Sequence, residues 1–155
     1  YKDQIVVLRE IRDSYPNRPL YFTSQSYPRA LGLGKYVAMQ GLVAKLFPTP
    51  IVPGTRFMEI PGYGFLDLPR SDSLWHEYTA PASLVRHGEW VDRASSDIPL
   101  RYVITAALLS DVYRSRGDTA KATGYIDTAI KMARAARVED VLGFSKGKPS
   151  APGEH

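Results

Sequence analysis

Two glycine-rich segments are the first candidates for chemistry. Residues 31–35 read Leu-Gly-Leu-Gly-Lys and end on the glycine–lysine pair of phosphate-binding loops. Such a loop needs a glycine five residues before Gly34 and a Ser or Thr after the lysine, but Arg29 and Tyr36 occupy those positions. Gly62-Tyr63-Gly64 lacks the third glycine of a dinucleotide-binding fingerprint. We therefore interpret both segments as turns and predict no nucleotide cofactor.

The ionisable side chains form no recognisable catalytic set. The three histidines, His76, His87 and His155, have neither the i, i+4 nor the His-x-His spacing of metal ligands, so we predict no metal site. The absence of cysteine excludes disulfides and thiolate chemistry. No Gly-x-Ser-x-Gly motif marks a nucleophile. We predict that the chain is not an enzyme, and we interpret four carboxylates of the middle third as solvated loop acids: Glu59, Asp67, Asp72 and Asp92.

Aromatic residues concentrate in the middle of the chain, beside prolines and glycines. They are Tyr36, Phe47, Phe57, Tyr63, Phe65, Trp75, Tyr78 and Trp90. Two interpretations stay open. The rings either fill the core of a loop-rich region or form an exposed platform for a protein or a glycan, because sugars stack on indole rings and interfaces favour them. Trp75 and Trp90 are the candidate platform residues.

The charge balance limits the class of partner. The chain has 20 Lys and Arg against 16 Asp and Glu, a net charge of +4. Residues 1–80 carry nine bases and seven acids and residues 81–155 eleven and nine, so each half is +2 and no basic arm is available for nucleic acid. The longest apolar run, over 103–109, is far shorter than the roughly 20 residues of a membrane span. The basic residues near the C-terminus are candidate contacts with a partner protein: Lys131, Arg134, Arg137, Lys146 and Lys148.

Hydrophobic periodicity predicts how the N-terminal part is built. Residues 2–14 predict an amphipathic helix with Ile5, Leu8 and Ile11 on its apolar side. The β-prone runs predict strands over 20–23, which we expect to be buried, over 42–47 and over 57–60. Two short helices follow, over 71–78 with Ser71 or Asp72 as its cap and over 83–87.

The strongest pattern lies near the C-terminus. Residues 98–116 and 119–136 are rich in alanine and amphipathic, and Gly117-Asp118 separates them as a tight turn. The spacing of small, apolar and aromatic residues in this segment is that of one tetratricopeptide-like unit. The residues at the positions of that repeat are Leu109, Tyr113, Gly117, Ala122 and Ala129. The proline that closes the repeat is replaced here by Arg134. A single unit cannot bury both of its faces. The hairpin therefore packs on the α/β part, on a partner, or on both.

These elements predict an α+β fold with a small β-sheet and short helices, followed by a C-terminal tetratricopeptide-like helical hairpin. We divide the chain into an α/β portion over 1–97, the hairpin over 98–137 and an extended tail rich in glycine and proline over 138–155, and we expect these portions to form one compact unit. Because the chain begins at Tyr1, partway into a helix, we expect it to be a piece of a longer precursor.

Residues 4–48 resemble a known family. Residues 17–22 (Asn-Arg-Pro-Leu-Tyr-Phe), Leu31-Gly-Leu with Tyr36, and residues 40–48 (Gln-Gly-Leu-Val-Ala-Lys-Leu-Phe-Pro) are similar to the soluble C-terminal domain of the bacterial DUF2723 membrane proteins. That family runs Arg-Pro-(Ile/Val)-Tyr-Phe, a leucine–glycine turn, then Glu-Gly-Leu-x-Tyr-Arg-Leu-Val-Pro. Here Gln40 replaces the usual Glu, and Ala44-Lys45 replaces Tyr-Arg.

The resemblance implies a location and a kind of function. Full-length members resemble protein O-mannosyltransferases whose membrane spans carry the catalytic acid, so no catalytic residue transfers to this chain. We predict a non-catalytic periplasmic accessory subunit that docks on a larger membrane protein complex and uses no cofactor. A photosynthetic reaction-centre assembly is one candidate host, since some bacterial assemblies carry extra periplasmic subunits. The alternative is a glycan- or acceptor-binding accessory domain of a membrane glycosyltransferase.

Overall fold

The computed structural model describes residues 2–143. The chain divides into two compact units, Tyr1–Thr79 and Ala80–His155, called here the N-terminal and C-terminal units. The described residues contain a five-stranded mixed sheet and six α-helices, so the predicted α+β class is confirmed.

The N-terminal unit holds the sheet. Its helices are α1 (Lys2–Ser14), α2 (Ser26–Ala30) and α3 (Leu68–Glu77), and its strands are β1 (Tyr21–Phe22), β2 (Val37–Gln40), β3 (Val43–Leu46), β4 (Phe57–Ile60) and β5 (Gly64–Asp67). The strand order is β1-β3-β2-β5-β4. All neighbouring strands are antiparallel except the central pair β2 and β5, which are parallel, with Ala38 opposite Phe65.

The central strand β2 is buried along its whole length, from Val37 to Gln40. A strand covered on both faces shows no alternation of apolar and polar residues, which explains why periodicity does not predict it. The turn from β2 into β3 needs a glycine, because Gly41 has a φ of +64° and a Cβ there would meet the Tyr78 hydroxyl. Leu66 of β5 and Ala44 of β3 are fully buried in the core.

Three predictions for this unit are confirmed and two are wrong. Helix α1 and the strands over 42–47 and 57–60 form where expected. The strand over 20–23 shrinks to β1, in which Tyr21 is 51% exposed, because β1 lies at the sheet edge and pairs only with β3. The helix over 71–78 starts earlier, at Leu68. Ser71 is therefore not a cap but a buried side chain, whose Oγ donates to the Met39 carbonyl at 3.2 Å.

The C-terminal unit is helical in its described part. It consists of α4 (Ala80–His87), α5 (Asp97–Ser115) and α6 (Thr119–Ala136), with 3₁₀ turns over Arg93–Ser95 and Glu139–Leu142. The predicted helical hairpin is α5 and α6. Its tetratricopeptide character stays a prediction.

Small buried side chains let α5 and α6 approach each other. Leu109 and Ala129 are fully buried, and Ala122 is 2% exposed. Tyr113 stacks on Tyr125 with ring centroids 5.8 Å apart. Gly117, with a φ of +80°, reverses the chain at the turn, a conformation that glycine adopts without strain.

The boundary between the units differs from the predicted division at residue 97. Residues that follow Thr79 belong with the hairpin, since α4 packs on α6 and the Trp90 amide donates to the Ala135 carbonyl at 2.9 Å. Of the predicted tail, the structure describes residues 138–143, which are not extended but form the 3₁₀ turn over Glu139–Leu142 with Gly143 as its C-cap. The remainder, over 144–155, lies outside the described residues.

Candidate functional site

Helix α1 turns a set of large apolar side chains toward solvent. Ile5, Val6 and Leu8 are 58%, 57% and 42% exposed, and we call them the α1 apolar face. The half-buried positions are Gln4, Val7, Ile11 and Ser14, which recur at the 3–4 spacing of one helix side. The predicted apolar side therefore splits. Ile11 faces inward, whereas Ile5 and Leu8 lie on the exposed side.

The charges of α1 are balanced. The helix carries three basic residues and three acidic ones, namely Lys2, Arg9 and Arg12 against Asp3, Glu10 and Asp13. The Arg12 guanidinium donates to the Asp13 carboxylate at 2.7 Å. This hydrogen bond raises the pKa of Arg12 and lowers that of Asp13. Charges of both signs therefore lie among the side chains of the α1 apolar face, and the helix as a whole has no net charge.

The predicted basic contacts lie on and just beyond α6. Lys131 and Arg134 are exposed. Because 131, 134 and 137 are three residues apart, each of these positions lies beside the next on one side of the helix. Arg137 is the C-cap of α6 and adopts a left-handed conformation with a φ of 58°. Its guanidinium lies 3.5 Å from the Glu89 carboxylate, and both side chains are 63% exposed. Lys146 and Lys148 lie outside the described residues.

The two tryptophans predicted for a glycan platform belong to different units. Trp75 is on α3 of the N-terminal unit, where its ring meets Tyr78 edge-on with centroids 6.3 Å apart. Trp90 follows α4 in the C-terminal unit and lines an open groove of about 430 Å³. We call this the Trp90 groove, and its other lining residues include Leu84, His87, Glu89 and Asp92.

The indole of Trp90 is not satisfied by the protein. Its Nε1 is buried and has no hydrogen-bond partner among residues 2–143. A buried donor without a partner costs about 1–3 kcal/mol. The groove beside it is mostly apolar with carboxylates among its lining residues, a combination suited to the apolar faces and hydroxyl groups of a sugar.

The sequence interpretation of Asp67 as a solvated loop acid is wrong. Its side chain is 1% exposed at the end of β5, and its Oδ2 accepts from Gln40 Nε2 and from Arg56 NH2, both at 2.9 Å. The hydrogen bond to Asp67, followed by its charge, raises the pKa of Arg56. Gln40 and Asp67 are the last residues of β2 and β5. Because these two strands are parallel, their carboxyl ends lie at the same end of the sheet, which brings the two side chains together.

This cluster has the features of a structural ion pair. The Asp67 carboxylate is covered and already occupied by two donors, which leaves it poorly placed to bind a substrate. No signal in the sequence marks it, since Gln40 comes from another strand and Arg56 from the loop before β4. Within residues 2–143, no group of His, Asp and Glu side chains is arranged to hold a metal ion.

Comparisons with other proteins identify no relative. No family model matches the chain, and no curated protein or solved structure is significantly similar to it. The resemblance of residues 4–48 to the DUF2723 domain therefore stays an expectation from the residues alone. Each helix in the described part of the chain is too short or too polar to cross a lipid bilayer.

Proposed function

We propose that this protein is a non-catalytic interaction domain that docks on a larger membrane protein complex through the α1 apolar face. The observation that carries the proposal is the exposure of Ile5, Val6 and Leu8, three large apolar side chains within four consecutive positions of one helix. Single apolar residues on a surface are normal, but several large ones close together favour an interaction site. Burying the three side chains against a partner supplies the free energy of docking.

The charge pattern favours a protein over a lipid surface as the partner. Helices that bind anionic membranes carry an excess of Lys and Arg on their polar face. Helix α1 has as many acids as bases. It suits an apolar groove whose rim carries both signs of charge, the mode in which an amphipathic helix lies in the groove of another protein.

The exposed cations of α6 add a second contact in this proposal. Lys131 and Arg134 have no ion-pair partner among the described residues, and Arg137 has only its solvent-exposed contact with Glu89. Such charges act mainly on the rate of association with an acidic surface. The resemblance to DUF2723 supports a periplasmic location and a membrane-embedded partner, with a photosynthetic reaction-centre assembly as one candidate host.

Purification from native membranes in mild detergent tests the proposal. Size-exclusion chromatography and mass spectrometry would follow the wild-type chain and the triple variant Ile5→Ser, Val6→Ser, Leu8→Ser. We expect the wild type to co-elute with a membrane complex at fixed stoichiometry and the triple variant to elute alone. The matched control is Val52→Ser, which removes an apolar side chain that is 76% exposed in the loop between β3 and β4.

Two outcomes would contradict the proposal. One is elution of the wild type alone near its mass of 17.3 kDa. The other is unchanged co-elution of the triple variant, since the α1 apolar face would then not be the contact. Replacing Lys131, Arg134 and Arg137 by Glu is a milder test, and we expect it to slow association about tenfold.

A second candidate function is glycan binding in the Trp90 groove, and the observation that favours it is the unpartnered indole beside Glu89 and Asp92. The chain has two tryptophans, so each of the variants Trp75→Phe and Trp90→Phe retains a single fluorescent reporter. Titration with mannose-containing oligosaccharides should change the emission of Trp75→Phe, whose reporter is Trp90. It should leave that of Trp90→Phe unchanged. No change in either variant would remove this candidate.

A further inference from the structure

The two glycine-rich segments interpreted as turns line one groove of the N-terminal unit. The groove has a volume of about 510 Å³, within the range of small-ligand sites. We call it the glycine groove, and its lining includes Arg29, Gly32, Gly34, Lys35, Glu59 and Gly62. It lies between the turn that follows α2 and the turn that joins β4 to β5.

Arg29 is held in a fixed position at this groove. Its NH1 donates to the carbonyls of Gly62 and Tyr63, at 3.0 Å each. Gly34 leaves space for this side chain, because a Cβ at position 34 would lie only 3.2 Å from the Arg29 Cγ. Two of the five guanidinium N–H groups are thus used within the protein.

The remaining N–H groups of Arg29 form a binding edge. No residue among 2–143 accepts a hydrogen bond from its Nε or NH2. The N–H groups on these two atoms point in parallel and match the two oxygens of a carboxylate or phosphate. Because NH1 is already anchored, less side-chain entropy is lost when this edge binds an oxyanion.

Two further side chains define the ligand. Lys35 adds a second positive charge, and its backbone is fixed because its carbonyl accepts from the Ile51 amide at 2.7 Å. Glu59 is exposed at the same groove and supplies an acceptor. At Gly32 and Gly62, apart from the glycine itself and its two chain neighbours, no heavy atom of residues 2–143 lies within 4 Å of the position that a Cβ would occupy, so this space is open to a ligand.

We propose that the glycine groove binds a small organic oxyanion that also carries hydroxyl groups, such as a sugar phosphate or a sugar acid. The Nε and NH2 edge of Arg29 takes two oxygens of the anion, Lys35 neutralises its charge, and Glu59 accepts a hydrogen bond from a hydroxyl. The proposal concerns a different part of the molecule from the α1 apolar face and does not depend on docking.

Isothermal titration with four probes tests the ligand class. We expect saturable binding of glucose 6-phosphate or glucuronate, and their relative affinities decide between phosphate and carboxylate. Inorganic phosphate should bind more weakly than glucose 6-phosphate, because it offers no sugar hydroxyls to Glu59, and glucose should not bind. The proposal is overturned if neither glucose 6-phosphate nor glucuronate binds saturably at concentrations up to about 10 mM, the weakest affinity worth assigning to a site. It is also overturned if glucose binds as well as these two anions.

Three variants locate the binding. Arg29→Lys keeps the charge but loses the paired edge, and we expect about tenfold weaker binding. Lys35→Gln alters an exposed side chain that has no side-chain hydrogen bond or ion pair among residues 2–143, and we expect about fivefold weaker binding. Arg70→Gln removes the same charge from an exposed position on α3 and should leave the affinity unchanged. Binding that is as strong in Lys35→Gln and Arg29→Lys as in the wild type would contradict the assignment.

Discussion

The two compact units are stabilised in different ways. The N-terminal unit joins strands that are distant in sequence and buries polar groups among them, including Gln40, Asp67 and Ser71. The C-terminal unit packs two consecutive helices, and its buried Ser110 donates to Ala122 across the hairpin at 2.8 Å. The comparison teaches that stability depends on satisfied polar partners in the first unit and on side-chain volume in the second.

A cavity in the hairpin should have the largest effect. Leu109 is fully buried on α5, so Leu109→Ala leaves a space that its neighbours fill only partly. We expect a loss of about 4 kcal/mol in the free energy of unfolding, measured by urea denaturation. The control is Ile98→Ala on the same helix, where the side chain is 52% exposed and the loss should be small. Similar losses for the two variants would contradict the volume argument.

Removing the buried carboxylate should have the next largest effect. Asp67→Ala deprives Gln40 Nε2 of its acceptor and ends the contact with Arg56. We expect a loss of about 3 kcal/mol in the free energy of unfolding, because a buried donor is left unpaired and the hydrogen bonds from Gln40 and Arg56 to a charged group are lost. Asp111→Ala is the control, since it removes only an exposed i, i+3 ion pair with Arg114 at 3.7 Å.

If Asp67→Ala and Asp111→Ala cost the same, the N-terminal unit does not depend on its buried polar cluster. The difference between the two units would then disappear. Amide hydrogen exchange adds a local readout, because protection in β2 and β5 should fall in the Asp67 variant.

The cap of α6 should have a smaller effect. The Asp118 side chain accepts from the Lys121 amide at 3.1 Å, at a position where Ser, Thr, Asn and Asp stabilise a helix. Asp118→Ala should cost about 1 kcal/mol, and Asp118→Asn, which retains an acceptor, should cost less. Thermal unfolding followed by circular dichroism compares them. Equal losses for both variants would show that the hydrogen bond to Lys121 is not the source of the effect.

The smallest predicted effect is a pH dependence at the turn before α5. Asp92 accepts from Ser95 Oγ at 2.6 Å and from the Ala94 amide at 3.0 Å, and these bonds lower the pKa of Asp92 below its usual 3.8. A lowered pKa in the folded state means that the turn is stabilised above pH 3.8. This stabilisation is lost as the pH falls through the folded value.

Carbon-13 NMR titration of the Asp92 carboxyl group checks this sign. We expect a midpoint below 3.8 in the wild type and a higher midpoint in Ser95→Ala, which loses the largest cause of the shift. A wild-type midpoint at or above 3.8 would be inconsistent with the hydrogen bonds to Ser95 and Ala94.

The same difference between the units explains what the sequence predicts. Helices α5 and α6 follow from periodicity and a Gly-Asp turn, because their main contacts are local. Strands β2 and β5 are missed, since a buried parallel pair is specified by partners distant in the chain. The burial of Asp67 depends on Gln40 from β2 and on Arg56 from the loop before β4, which no local pattern contains.

The candidate sites show the same limit. Periodicity identifies an apolar side for α1 but does not say which positions are covered, so Ile5 and Leu8 are exposed where Ile11 is not. Two glycine segments read separately as turns converge on one groove through the contact of Arg29 with Gly62 and Tyr63. The sequence pairs two tryptophans in one platform because it shows only their types, whereas the structure assigns them to different units.

Site-specific photocrosslinking in native membranes tests the central claim most directly. The substitution Ile5→p-benzoylphenylalanine places the reactive group on the α1 apolar face, and Val52→p-benzoylphenylalanine places it at a more exposed position elsewhere in the N-terminal unit. Our account predicts a specific adduct with one subunit of a membrane complex from position 5 and none from position 52. Adducts from neither position, or the same adducts from both, would contradict docking through α1.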